Sequence, residues 1–353
     1  MQFSQFSTPK KSWRERFFDQ PHQPFFIASV FFAFVTMIGT FLSLLGKDVN
    51  FGLFHGFGLI FGVFTNAFLG FLFTVIPRYC ASSPIEQKSY TLVWVLYQTA
   101  VLLVLFEFMV IGKLFCALLL LYSVKLFYTN IKEGYGGDNK ESYILTLLLF
   151  WGALMLISEV LFDTNLSVLL FYSYLLGIVY LVALRMIPNF YSRYTQKAKW
   201  QKPKYILDIS LLLIFSIGFT SQFEMILAGK IVALVSLLFF GYVIYKLDIY
   251  SKTPVMLSIL VISFYWFYLA VFIHFIESLF EIYTFKLSFH IFALGFILNL
   301  LIGFGTRVTL AHAIPPQRVE ADKFTVALFI LTQVVIVTRI LGSLFFRAGK
   351  RFL

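Results

Sequence analysis

Eleven apolar runs, most of them near 20 residues and almost free of charge, divide this chain, and no other feature limits its fold so tightly. A hydrocarbon layer about 30 Å thick takes roughly 20 helical residues to cross. Within it each backbone N–H and C=O must be paired inside the chain, so only helices or closed barrels cross it. Continuous apolar runs exclude the alternating strands of a barrel. The runs lie at about 25–45, 53–76, 90–107, 110–129, 143–162, 166–187, 205–221, 225–245, 254–275, 284–306 and 324–346. The predicted class is all-α: a polytopic transmembrane helical bundle of about eleven spans, twelve if one is missed.

Composition agrees. Charged residues make up 13% of the chain, against roughly a quarter in a soluble protein. The +11 net charge does not indicate nucleic-acid binding, because the basic residues sit at the edges of the runs, where they meet anionic lipid headgroups. The expected plan is a cytoplasmic N-terminal segment at 1–24, a single transmembrane domain at 25–346 with a cytoplasmic connection at about 188–204, and a tail at 347–353. Lys10, Lys11, Arg14 and Arg16 before the first run mimic a signal peptide, but the run is too long and lacks a small-residue cleavage site, so it reads as a retained helix. Cys80 in a loop and Cys116 in a span form no CxxC pair, which leaves them no redox or zinc role.

Basic connections stay in the cytoplasm. The N-terminus and the connections holding Arg78 and Lys88, Lys132 and Lys140, and Arg193 to Lys204 carry most of the charge; Lys47, Lys113 and Lys286 lie on the other side. This orientation puts the N-terminus in the cytoplasm. Eleven spans then leave the C-terminus outside, although it carries Arg347, Lys350 and Arg351, and Arg339 interrupts the last run. The connection at 191–205 divides the spans into six and five, and no motif recurs convincingly between those halves.

Five histidines occur. On this topology His55, His274 and His290 share the outer depth, while His22 and His312 share the cytoplasmic edge. Neutral imidazole is a common ligand of metals and haem iron, and facing helices can each supply one. His55, His274 and His290 are therefore candidate metal ligands, with Glu277 and Glu281 near enough in sequence to accept from them or to add oxygen ligands. Interfacial histidines bonded to headgroups or backbone would show the same pattern. Gly295, Gly303 and Gly305 on the late helix permit close approach of a helix or a flat ring, and Asn299 between them needs a partner in lipid. At the cytoplasmic ends, Arg185 precedes Pro188 and Arg307 precedes His312, Pro315 and Pro316. Either arginine snorkels to headgroups or clamps an anion such as a carboxylate or haem propionate. Arg307 and His312 lie about 140° apart around the helix and need not share a site. Glu159 and Asp208 are the deeper carboxylates, beside the uncharged Asn66, Gln98 and Gln333.

PHQPFF at 21–26, FHGFGLIFG at 54–62 with GFLFTVIP at 70–77, RMIPNF at 185–190, and SFHIFALG at 288–295 with TRVTLAH at 306–312 follow a recognisable order. In these segments the chain resembles the NnrS family of bacterial inner-membrane proteins. The resemblance implies a haem- and copper-associated protein linked to nitric oxide or nitrosative stress. By position it makes His55, His290 and His312, with Arg185 and Arg307, the cofactor-binding residues. Where the family has a second histidine followed by glutamate, this chain has Phe57 and Gly58, neither of which can ligate copper.

The expected function is a membrane haem protein that handles nitric oxide or iron–nitrosyl species, with membrane lipids and a membrane or periplasmic electron donor as partners. The alternative is a cofactor-free transporter or assembly factor whose arginines meet an anionic solute or lipid. The sequence assigns no catalytic turnover.

Overall fold

The computed structural model describes residues 12–136, 139–198, 200–313 and 318–349. A short helix, α1 (Trp13–Phe17), precedes eleven helices among the described residues that are long and apolar enough to cross a membrane. These are α2 (His22–Leu44), α3 (Gly52–Cys80), α4 (Gln87–Leu105), α5 (Met109–Glu133), α6 (Lys140–Leu161), α7 (Ser167–Thr195), α8 (Tyr205–Gln222), α9 (Ile226–Leu247), α10 (Val255–Phe280), α11 (Leu287–Ala311) and α12 (Lys323–Gly349). The chain is thus an all-α, multi-pass membrane protein, and the helices fall within a few residues of the apolar runs. Cys80 is the buried last residue of α3 and not a loop residue. Lys10, Lys11, Lys199, Pro315, Pro316, Lys350 and Arg351 lie outside the described residues.

Two compact units form, Met1–Ser167 and Val168–Leu353. The boundary precedes the connection at 191–205, because α7 packs on α8 and α10 and so belongs with the helices after it.

In the first unit α2 lies against α3. A Cβ at Gly70 would come 2.7 Å from Phe25 Cβ, and one at Gly62 would come 3.2 Å from Phe32, so glycine lets the two helices touch. From Gly52 to Phe64, α3 has the wider π-helical turn. Side chains take up the carbonyls where the turn narrows again: Thr65 Oγ1 donates to Ile60 O at 2.9 Å and Asn66 Nδ2 to Gly62 O at 2.7 Å. Asn66 and Gln98 on α4 then pair reciprocally, at 3.1 and 2.8 Å. A buried ion pair, Lys113 to Glu159 at 2.8 Å, ties α5 to α6. The other Glu159 oxygen accepts the N–H of Leu166 at 2.8 Å, just before α7 begins.

In the second unit Tyr180 on α7 lies 5.6 Å from Phe240 and 5.0 Å from Phe267, at the centre of an aromatic core. Pro188 has no N–H for Leu184 O, and Lys202 Nζ donates to that carbonyl at 2.9 Å instead. Residues Leu170–Leu176 of α7 and Ile291–Leu298 of α11 are again π-helical. Asn299 Nδ2 donates to Gly295 O at 2.8 Å, Gln333 Nε2 on α12 donates to Asn299 Oδ1 at 2.9 Å, and Trp266 Nε1 on α10 donates to Gln333 Oε1 at 2.7 Å.

These contacts overturn the expectation that no motif recurs. A Gly-x-x-x-Asn-x-x-x-Gly segment stands at 62–70 and at 295–303, each time answered by a glutamine on the following helix. Glu107 (φ 68°) and Glu224 (φ 51°) turn the chain into α5 and α9, each helix then opening with a Gly-Lys pair, Gly112-Lys113 and Gly229-Lys230. Glu159 and Glu277 each stand four residues before an acidic residue with positive φ, Asp163 (47°) and Glu281 (52°). Helices α5–α8 and α9–α12 are therefore corresponding sets of four, and α2–α4 correspond to the last three of a set. Backbone N–H groups capped by side chains align the starts of α3, α7 and α11: Leu53 by Asn50, Leu166 by Glu159 and Ser288 by Glu277. Two residues beyond each come His55, Val168 and His290.

Candidate functional site

The second unit builds its site from the turn between α10 and α11. Glu277 Oε1 accepts Ser288 N–H at 3.3 Å and the Thr284 hydroxyl, while Thr284 Oγ1 accepts Leu287 N–H at 3.3 Å. An anionic cap on the unpaired amides of a helix start is favourable. Phe285 (φ 53°) and Lys286 (φ 56°) then sit consecutively in the left-handed region, where a side chain is strained. This backbone delivers Lys286 O to His290, whose Nδ1 lies 2.8 Å away. A carbonyl can only accept, so the proton is on Nδ1 and the in-plane lone pair on Nε2. The Arg339 Nη2 atom is also 3.3 Å from Nδ1 but donates to Phe285 O at 3.0 Å, so we assign the ring's bond to the shorter carbonyl contact. Arg339 Nη1 reaches Ser343 Oγ.

His274, one turn further into α10 than Glu277, is only 8% exposed. Its Nε2 is buried without a hydrogen-bond partner among the described residues. Glu281 does not turn toward it and pairs with Lys230 at 2.5 Å instead. The two carboxylates singled out beside the histidines are thus held by a helix start and a lysine. Among the described residues no three of His, Cys, Asp and Glu gather as a metal-binding group.

His55 lies in the first unit, half-buried, its ring stacked on Phe51 at 4.9 Å. At the Phe57 and Gly58 positions there is no donor side chain, and a Cβ on Gly58 would come 2.5 Å from Thr36 Cγ2. A side chain there requires Thr36 to shift.

At the other end of the second unit, the Arg307 guanidinium lies over the Phe190 ring, 4.4 Å from its centroid, and Phe304 is 6.5 Å from the same ring. This contact brings the ends of α7 and α11 together through Phe190, five residues beyond Arg185. His312 points back along its own helix, Nδ1 to Val308 O at 2.9 Å, so its proton is also on Nδ1. Arg307 and His312 take separate partners, as their spacing around the helix requires. His22 belongs to the first unit, buried beside Phe26 at 5.7 Å.

Sequence reasoning singled out the histidines but not Arg339, which it met only as a break in an apolar run. The signal was present: a charge within a span needs a partner. That partner is a backbone carbonyl, which has no letter in the sequence.

A family model described as NnrS protein matches residues 16–352. No curated protein matches, and no solved structure does.

Proposed function

This chain belongs to the NnrS family of membrane proteins, and on that footing we propose that it is a membrane haem protein that handles nitric oxide in nitrosative stress, with His55 or His290 as an iron ligand. The observation that carries the reading is register: both imidazoles stand two residues past the capped N–H that opens α3 and α11. At His290 the Nδ1 proton is held by Lys286 O, so Nε2 is the atom that donates, as ligating histidines require. The unmet Nε2 of His274 is a further donor in the same unit. Haem, when bound, supplies an iron position at which a diatomic ligand coordinates. Arg185 and Arg307 stand at the other end of the unit, about 25 Å of helix from His290, beyond the reach of the propionates of a haem held by that ring, so they would meet a separate anion; Phe190 lies under the Arg307 guanidinium.

Copper fits less well, since Phe57 and Gly58 replace the family's second His and its Glu and Gly58 is closed in by Thr36. We propose no step through copper. The residues support binding of nitric oxide or an iron–nitrosyl species. Turnover would further require an electron donor at the membrane. The proposed setting is a bacterial inner membrane with the N-terminus in the cytoplasm.

The test is the absorption spectrum and pyridine-haem content of detergent-purified protein made with ample haem, beside His55→Ala, His274→Ala and His290→Ala. Near-stoichiometric haem, lost in His55→Ala or in His290→Ala while the variant elutes as folded protein, is the expected result. Wild-type protein that elutes normally and carries no Soret band rejects the haem reading.

A further inference from the structure

Arg339 is the feature of α12 that membrane insertion least favours, and the structure gives it definite partners. A guanidinium within a span is costly unless its donors are used. Its two arms go to Ser343 Oγ on its own helix and, at 3.0 Å, to Phe285 O across the helix boundary. Phe285 and Lys286 are the consecutive left-handed residues of the α10–α11 turn, at φ 53° and 56°. Such conformations persist only where neighbouring groups hold them. The turn so held carries Lys286 O, which accepts the backbone N–H of His290 at 3.1 Å and faces its ring Nδ1 at 2.8 Å.

In the corresponding helix set a glutamine takes the place of the arginine: Gln222 at the end of α8 accepts the Leu169 N–H at 3.2 Å, so a neutral side chain meets the start of α7. Val168 stands where His290 stands, and the chain between α6 and α7 has one positive-φ residue, Asp163, matched by Glu281. The second and third left-handed residues occur only in the set with the histidine and the arginine.

We propose that Arg339 is the positioning residue of His290: by gripping Phe285 O it holds the 285–286 turn, so that Lys286 O fixes the Nδ1–H tautomer and Nε2 is presented as the coordinating atom. The coordinating role rests on the haem reading; the tautomer does not. The guanidinium also places a positive charge 3.3 Å from the imidazole, which favours the ferrous over the ferric state of any iron bound through that ring.

The experiment uses full-length protein in detergent, labelled with ¹⁵N at histidine, with His290→Gln to assign the resonance. In haem-free wild type His290 is the Nδ1–H tautomer. In Arg339→Gln the tautomer ratio moves toward Nε2–H by about threefold or more, because the relaxed 285–286 turn lets Lys286 O, still bonded to the His290 N–H, swing off the ring. Arg339→Lys keeps the charge but cannot hold Phe285 O and Ser343 together, so its tautomer ratio follows Arg339→Gln. Phe285→Gly relaxes the turn with Arg339 intact and gives the same direction, should the arginine variants fail to fold.

With haem loaded, Arg339→Gln shifts the oxidation equilibrium toward ferric by about tenfold, which is about 59 mV for one electron, and Arg339→Lys shifts it less. An unchanged His290 tautomer in folded Arg339→Gln overturns the proposal. Wild type that takes up no haem while the tautomer shift occurs overturns the haem reading alone.

Discussion

The helix pairs α5–α6 and α9–α10 start from the same plan and end differently. Each first helix begins with Gly-Lys, and each second helix ends with Glu followed four residues later by an acidic residue with positive φ. In the first pair Lys113 takes the inner carboxylate, Glu159, and the ion pair is buried with side chains 15% and 6% exposed. In the second pair Lys230 takes the outer one, Glu281, at 31% and 58% exposure. Glu277 keeps only its hydroxyl and amide donors. One turn inward, the first pair has Leu156 and the second has His274, equally enclosed. The same scaffold thus serves stability in one place and leaves polar groups unneutralised in the other. Only the second arrangement has imidazoles to offer a ligand.

The sharpest way to break this comparison is to remove each lysine. Lys113→Met strands a buried carboxylate and should cost about 3–5 kcal/mol, whereas Lys230→Met breaks an exposed pair worth no more than about 1 kcal/mol. Thermal or denaturant unfolding in detergent measures both. Equal losses would mean that the two pairs do the same job.

Next in size is the buried imidazole. His274→Leu restores the residue that the corresponding helix carries at Leu156, and it removes an Nε2 atom buried without a partner among the described residues. The cofactor-free protein should gain about 1–2 kcal/mol, read by the same unfolding assay. A loss of stability would mean that His274 is satisfied in solution by a group the helices bring to it. Loss of the Soret band in this variant would add His274 to the iron's donors.

Much of this was readable beforehand, for identifiable reasons. Membrane spans announce themselves because lipid demands about 20 consecutive apolar residues, a requirement any sequence must meet openly. Asn66, Gln98, Asn299 and Gln333 also stood out, since polar side chains in lipid need partners, but which residue pairs with which depends on the helix facing it. The internal repeat rests on a few residues at equal spacing among unrelated apolar ones, and the π-helical segments shift the histidines against them. From His55 to Asn66 is eleven residues and from His290 to Asn299 is nine, so no fixed spacing aligns α3 with α11, although their capped starts and their asparagines correspond. In the sequence Arg339 is a problem of topology, a charge that interrupts the last apolar run. With its arms on Phe285 O and Ser343 it belongs to the helix packing and carries no weight in the count of basic loop residues.

The smallest expected effect lies at the start of α12, and it separates this helix from its counterpart α8. Asp322 Oδ1 accepts Thr325 N–H at 2.8 Å, and bonds from the Thr325 side chain and backbone hold the Asp322 carboxyl below its ordinary range. Helix α8 begins after Lys204, which makes no side-chain cap. A carboxyl whose folded pKa is depressed contributes fully above its unfolded pKa, and the contribution fades as pH falls through the folded value. The protection of the Thr325 amide, taken against its intrinsic exchange rate at each pH, should therefore be high near neutrality and fall only below the ordinary carboxylate range, with Asp322→Ala unprotected throughout. The group is fully exposed, so water and salt screen it and the change stays local. If acid instead loosened α12 as far as Gln333, the amide chain through Asn299 and Trp266 would not be what holds that helix to α10 and α11.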